Sequence, residues 1–87
     1  MAVEEVLSSK GKLRILKVLA EVGRLHISEI AKRAGLNHTT AANHLEFLES
    51  HGLVSHKRFG RIRIYQLNEK DPRVAAIKKL FEVWERT

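Results

Sequence analysis

Apolar residues recur at three- and four-residue intervals along much of the chain, and this spacing predicts amphipathic helices. One or two helical turns are expected within residues 2–7. A longer helix follows with Ser8 or Ser9 as its N-cap, and it runs to about Val22 with a charged stripe opposite its apolar face. Gly23 comes next and fits the left-handed position that ends many helices.

A short strand and a second helix are predicted next. Residues 24–27 are too few for a helix and are expected to form one small strand. Ser28 is then the expected N-cap of a helix of about two turns. Ala31 is small, as a close crossing with another helix requires, and Gly35 ends the helix by supplying a positive φ.

The third predicted helix has a clear start and a clear end. Asn37 is placed to cap it, and the helix runs from about His38 to His51. Gly52 fits the left-handed position behind the helix. Leu53 follows and can touch Leu48 one turn back, which is the hydrophobic contact of a Schellman motif.

Behind the third helix the period changes and predicts a β-hairpin. Its two strands are expected at 53–59 and 61–67, around a tight turn at Phe59–Gly60. In the second strand, aliphatic and polar residues alternate. This alternation predicts that Ile62 and Ile64 form the buried face of the strand.

A last helix closes the predicted order of elements. Asp71 is its expected N-cap and Pro72 its first residue, which is the favoured helical position for proline. The order is therefore helix, short strand, helix, helix, strand, strand, helix. A tight helix pair followed by a basic hairpin predicts a mainly α fold with a small β-hairpin, the winged helix-turn-helix, as one domain over 1–87.

The second and third helices form the predicted helix-turn-helix, whose third helix offers an outer face near its start. With Ala41, Leu45 and Leu48 turned to the core, short polar or small side chains remain outside, able to approach base edges in a major groove. An ordinary helical hairpin with a solvated face is the alternative. The candidate base-reading residues are Asn37, His38, Thr39, Thr40, Ala42 and Asn43.

The hairpin carries more positive charge than an edge strand needs to avoid aggregation. Three of its four basic residues are arginines, whose guanidinium groups suit phosphate oxygens and narrow minor grooves. We therefore expect this wing to hold the DNA backbone. The candidate wing residues are Lys57, Arg58, Arg61 and Arg63.

Composition supports a polyanionic partner and excludes several kinds of site. The formal net charge of +6 favours nucleic acid over an anionic membrane surface, although charge can also serve solubility alone. The 87 residues include no cysteine, so disulfides and thiolate metal sites are excluded and a cytoplasmic location is expected. Residues 1–5 do not resemble a signal peptide, and no apolar run is long enough to span a membrane.

Metal binding and catalysis find no support in the sequence. The five histidines lie on a strand, a long helix and the wing, and none forms a His-x-x-x-His pair with a helical carboxylate partner. His44 and His51 are seven residues apart and can share a helix face, but surface histidines are the simpler interpretation. No catalytic triad or phosphate-binding glycine loop is visible. We expect no enzyme activity, metal or cofactor, and no small-molecule effector is evident from the sequence.

Three stretches closely resemble the ArsR-type winged-helix repressors, small archaeal-like members in particular. They are LSSKGKLRIL at 7–16, LNHTTAANHLEFLESHGLV at 36–54 and GRIRIYQL at 60–67. The resemblance implies DNA contacts from the third helix and the wing, and a homodimer built by the terminal helices. Many members have serine and arginine where this chain has Ala42 and Asn43, so their base preference does not transfer. The metal-sensing members use cysteines, which this chain lacks.

The apolar stripe of the last helix has two interpretations. It can pack against the first long helix of its own domain, or it can form a dimer seam. We favour the seam, because an uncovered apolar patch usually marks an interface. The candidate seam residues are Val3, Val6, Leu7, Ile77, Leu80, Phe81 and Trp84.

The sequence therefore predicts a transcriptional regulator that binds double-stranded DNA selectively. Helix 38–51 would lie in the major groove, and the wing at 57–63 would lie on the backbone or in the minor groove. A winged helix used as a protein-interaction module is one alternative, and a non-specific chromatin- or RNA-binding protein is another.

Overall fold

The order of helices and strands follows the sequence pattern in a computed structural model, which describes residues 2–87. The mainly α fold with a small hairpin is confirmed, and the turns expected near the N-terminus form a separate short helix. The elements are α1 (Val3–Leu7), α2 (Lys10–Val22), β1 (Arg24–His26), α3 (Ile27–Ala34), α4 (His38–Ser50), β2 (Val54–Phe59), β3 (Ile62–Leu67) and α5 (Pro72–Arg86).

The three strands form one antiparallel sheet in the order β1-β3-β2. The short strand β1 pairs with β3 only from Arg24 opposite Gln66 to His26 opposite Ile64. The hairpin of β2 and β3 continues past this point until Phe59 lies opposite Ile62. The outer half of the hairpin therefore projects from the domain as the wing.

The core lies where α2, α3 and α4 meet the inner face of the sheet. Its members are almost wholly buried aliphatic side chains with one aromatic ring, that of Tyr65. Such close packing fixes the direction of each helix relative to the sheet. The most deeply buried large side chains are Ile15, Leu16, Leu19, Ile30, Leu45, Leu48, Leu53, Tyr65 and Val74.

Two glycines end α3 and α4 in the same way. The Leu53 amide donates to the Leu48 carbonyl over 2.9 Å, and the Gly52 amide donates to the Glu49 carbonyl over 3.0 Å. These are the two hydrogen bonds of a Schellman motif, as the sequence predicts. The φ of Gly52 is 80° and that of Gly35 is 69°, a region that favours glycine.

The start of α3 differs from the prediction. Ser28 is not the N-cap, because the helix begins at Ile27, two residues before the start that a Ser28 cap would give. The cap is His26, whose Nδ1 accepts a hydrogen bond from the Ser28 amide over 3.2 Å. The lone pair of this imidazole nitrogen accepts the N-cap hydrogen bond that a serine hydroxyl commonly accepts.

The buried face of β3 is the opposite of the predicted one. Tyr65 and Leu67 are buried, whereas Ile62 is 46% exposed and Ile64 half-buried. The alternation in Arg-Ile-Arg-Ile-Tyr-Gln-Leu allows either face to be apolar. The end of the strand nearest the helices determines which face is buried, because Tyr65 and Leu67 pack under the helices there. Ile62 has the opposite orientation and is therefore exposed at the wing tip.

The last helix is fixed to the end of α4 by one arginine. Arg73 Nη2 donates to the His51 carbonyl over 2.8 Å and also pairs with the carboxylate of Asp71. Asp71 accepts the Arg73 amide over 2.8 Å as the predicted N-cap. These bonds from Arg73 hold the pKa of Asp71 down at about 2.

Candidate nucleic-acid interface

The start of α4 is held rigidly by its own N-cap and by the turn in front of it. Asn37 Oδ1 accepts the Thr40 amide over 2.8 Å. In the turn, the Leu36 amide donates to the Ala31 carbonyl over 2.9 Å, which places Leu36 against the core. Below the first two turns of α4, Ala41 and Leu45 are fully buried. The outer face of α4 is thus fixed relative to the body of the domain.

The structure brings most of the candidate base-reading residues onto this outer face. Asn37, His38, Thr39 and Asn43 are exposed. Thr40 is half-buried, and Ala42 is half-buried because it packs against the core. The side chains that remain are short and polar, and they offer both donors and acceptors.

The four basic residues of the wing surround its tip. Lys57, Arg58 and Arg61 are exposed and Arg63 is half-buried. Over residues 2–87, no carboxylate forms an ion pair with any of the four. Their charge is therefore left for an external anion.

The two faces of the wing differ in chemistry. Residues directly opposite each other in an antiparallel pair lie on the same face. Arg58 lies opposite Arg63, on the same face as the buried Tyr65. Phe59 and Ile62 lie opposite each other on the other face.

A hydrogen-bonded link joins α4 to the wing, and sequence reasoning missed it. His56 Nδ1 lies 2.8 Å from Glu49 Oε1 and 2.9 Å from Glu49 Oε2. The His56 ring packs on Tyr65 with 4.9 Å between centroids, and burial raises the pKa of the Tyr65 hydroxyl. Arg63 donates to that hydroxyl over 3.5 Å. No local signal identifies this link, because it depends on the register of the hairpin.

Six of the seven candidate seam residues are at least partly exposed, and one belongs to the core. Val6 is only 3% exposed and belongs to the core of its own domain, so it is not available to a partner. Val3, Leu7, Leu80 and Trp84 are exposed, and Trp84 reaches 77%. The remaining two candidates, Ile77 and Phe81, are half-buried against the core.

An apolar groove of about 370 Å³ lies between α2 and the end of α5. Leu13, Leu80 and Trp84 line it, and basic residues of α2 lie at its edge. Lys17 and Glu85 form an ion pair across the two helices. Helix α5 therefore does pack on α2, but this packing leaves most of Trp84 uncovered.

His44 lies on the side of α4 that faces α2. A methyl group at Gly11 would stand 2.6 Å from His44 Nε2, so the two helices approach closely because this residue is glycine. Burial lowers the pKa of His44, and the charge of Lys12 lowers it further. In the part of the chain that has been placed, no three histidine or acidic side chains gather as a metal site.

We expect His44 to make the fold sensitive to acid. Because its pKa is lowered by folding, the unfolded chain takes up this proton first. The free energy of unfolding should fall as the pH drops through the unfolded pKa of about 6.5, and level off below the folded value. Thermal melts at fixed protein concentration between pH 7.5 and 5 would measure this. The fall should be smaller in His44→Gln, and equal falls would contradict the prediction.

Within residues 2–87, no helix is long and apolar enough to cross a membrane.

Comparisons with known proteins agree with this geometry. The family model for bacterial regulatory proteins of the arsR family matches residues 9–56. An HTH-type transcriptional regulator of Mycobacterium tuberculosis is 36% identical over 81 residues, which are 93% of this chain and 34% of that protein. This chain thus spans about a third of the length of that relative.

Solved structures share the fold along nearly the whole chain. One is the homodimeric winged helix-turn-helix DNA-binding domain of a possible ArsR-family transcriptional regulator from Mycobacterium bovis. It is 33% identical with a TM-score of 0.75, and the match covers 97% of this chain and 75% of that one. HlyU from Vibrio cholerae has a TM-score of 0.81 at 22% identity, covering 98% of this chain and 89% of its own, and this likeness concerns the fold alone.

Proposed function

Because the chain belongs to the arsR family of bacterial regulatory proteins, we propose that it binds double-stranded DNA selectively as part of a transcriptional regulator. One observation carries the proposal. The fixed outer face at the start of α4 presents short polar side chains, while the adjoining wing presents four basic residues without ion-pair partners among residues 2–87. The first surface suits base edges and the second suits phosphates.

The base-reading part of the interface is the first two turns of α4, lying in a major groove. Asn43 is exposed there, and an asparagine side chain can pair with the N6 and N7 atoms of adenine. His38 and Thr39 lie one turn earlier and offer further hydrogen-bonding groups. The side-chain oxygen of Asn37 accepts the cap hydrogen bond, so only its side-chain NH₂ group remains to donate to DNA.

The wing contributes affinity without hydrogen bonds that read base edges. Its arginines and Lys57 bind phosphates or enter the minor groove beside the major groove that holds α4. The Glu49–His56 link supports this division, since it holds the wing at one angle to α4. Both parts can then contact the same duplex without rearrangement.

The functional unit of this proposal is a two-fold dimer. The Mycobacterium bovis domain is homodimeric. In this chain the exposed Leu80 and Trp84 beside the α2–α5 groove offer a comparable apolar surface. The seam so proposed consists of Val3, Leu7, Ile77, Leu80, Phe81 and Trp84. Two recognition helices would reach successive major grooves about 34–36 Å apart, so an imperfect palindrome is the expected site.

The two rival functions make different demands on the surface. A protein-interaction module does not require four basic residues around a wing tip that form no ion pair within residues 2–87. A chromatin or RNA binder that recognises charge alone would be expected to carry basic residues at the start of α4, where this chain has uncharged polar ones. Selection of bound duplexes from a random DNA pool tests the proposal directly. A recovered palindrome supports it, and a pool without any preferred sequence contradicts it.

Asn43→Ala is expected to separate base reading from backbone binding. On the selected site the substitution should cost about 1–3 kcal/mol, because the bidentate contact is lost and the adenine edge stays unpaired. On random DNA the loss should be much smaller. Binding titrations on both duplexes measure the difference. Ser50→Ala, an exposed residue at the far end of the same helix, is the control. Equal losses on both duplexes would mean that Asn43 only positions the backbone.

A further inference from the structure

We infer that the wing also binds DNA through an apolar surface, with Phe59 and Ile62 lying against the sugar walls of a minor groove. This inference rests on the DNA binding proposed above and adds a kind of contact that charge does not provide. The register of β3 turns Ile62 away from the core.

The apolar pair at the wing tip contributes little to the fold. Phe59 is 61% exposed and Ile62 is 46% exposed, and they lie directly opposite each other. Neither belongs to the core or packs against it. Ile64 continues the same face towards the body of the domain, opposite Lys57. Two large apolar side chains at the end of a projecting ribbon form a contact surface that no core residue among residues 2–87 covers.

The charge around this pair indicates what covers it. Lys57 lies on the same face, Arg61 lies in the turn, and Arg58 and Arg63 lie on the opposite face. A partner must therefore present anions around an apolar surface. A DNA groove does this, because phosphates line its rim while sugar carbons form its walls. An apolar protein patch would meet unpaired cations at its edge, which is unfavourable.

The placement of the two faces fits a ribbon that enters a minor groove. Arg58 and Arg63 project from the face that carries His56, which is hydrogen-bonded to α4. With α4 in the major groove, these arginines face the phosphate strand between the two grooves. Phe59 and Ile62 project the other way, towards the far wall of the minor groove.

Entry of these side chains requires the groove to widen. The minor groove of B-DNA is about 6 Å wide, and the two strands of the ribbon alone are about 4.8 Å apart. Apolar side chains that enter a minor groove commonly deform it, and the cost of deformation depends on sequence. The wing would therefore favour deformable steps in the flanks of the site.

Phe59→Ala in the full chain tests the inference on the selected duplex over a salt series. We expect affinity to fall about tenfold per wing at every salt concentration, as expected for losing one buried aromatic side chain. The slope of log affinity against log salt should stay unchanged, since phenylalanine displaces no counterions. Phe59→Leu should restore most of the affinity. Val22→Ala, an exposed apolar residue at the end of α2, should bind like the parent.

A second measurement localises the contact. On duplexes shortened so that the flanking minor grooves are missing, the parent and Phe59→Ala should bind equally. Equal binding on the full duplex, or an undiminished loss on the shortened one, would overturn the inference. So would a loss of self-association without DNA, or of binding to vesicles of anionic lipid, because the patch would then serve another partner. A parent without any DNA binding would instead refute the proposed function itself.

Discussion

Raising the salt concentration from 50 to 200 mM is expected to weaken DNA binding by about a thousandfold or more. The reason is the release of counterions when several phosphates are neutralised by each subunit. The wing supplies four basic side chains that form no ion pair within residues 2–87. Arg61→Ala combined with Arg63→Ala should therefore lower affinity for all duplexes alike and flatten the salt slope by about one unit per lost contact.

A matched variant separates this local effect from the net charge. Arg24 and Lys70 are exposed and lie towards the end of the sheet opposite the wing tip. Arg24→Ala with Lys70→Ala removes the same number of positive charges away from the wing and should leave the salt slope near that of the parent. Binding titrations at four or more salt concentrations measure both variants. If the wing variant keeps the parent's slope, the wing is not a phosphate contact.

Trp84→Ala combined with Leu80→Ala is expected to weaken the proposed dimer by about a hundredfold or more, as the loss of two central apolar anchors commonly does. Both side chains are exposed in the single chain and line the α2–α5 groove. Their removal should leave the fold intact, because neither is buried in the core. The melting temperature should then be lower and depend less steeply on protein concentration, because less of the folded protein is dimeric.

Sedimentation over a range of concentrations measures the change in assembly. Val22→Ala serves as the control, since it removes exposed apolar surface that does not line the groove. A parent that stays monomeric at tens of micromolar would contradict the dimer, and the palindromic site would lose its basis.

Features set by neighbouring residues could be predicted from the sequence. Asn37 caps α4 and Gly52 ends it through hydrogen bonds that span no more than five residues. Asp71 and Pro72 start α5 in the same way. Such signals depend on the local chemistry of a cap or a turn, and they need no knowledge of the tertiary structure.

Features that depend on tertiary contacts could not be predicted in this way. The alternation in β3 is compatible with either face, and only the helices above Tyr65 decide between them. Val3, Val6 and Leu7 all fit one helical spacing of apolar residues, yet Val6 alone of the three is buried. The Glu49–His56 hydrogen bond joins residues from different elements across a turn. At the candidate interface, the sequence identified the kinds of residue, while the two chemically different faces of the wing needed the register.

The link between α4 and the wing limits how this domain can be re-engineered. A turn of three residues and the Glu49–His56 hydrogen bond set the angle between reading helix and wing. A transplant of α4 alone into a related regulator would separate Glu49 from its histidine and leave the new helix at the host's wing angle. The transferable cassette is therefore the continuous segment 37–67, from the cap of the helix to the end of β3. Libraries that vary base preference should vary the exposed face of α4 and keep Glu49, His56 and Tyr65 constant.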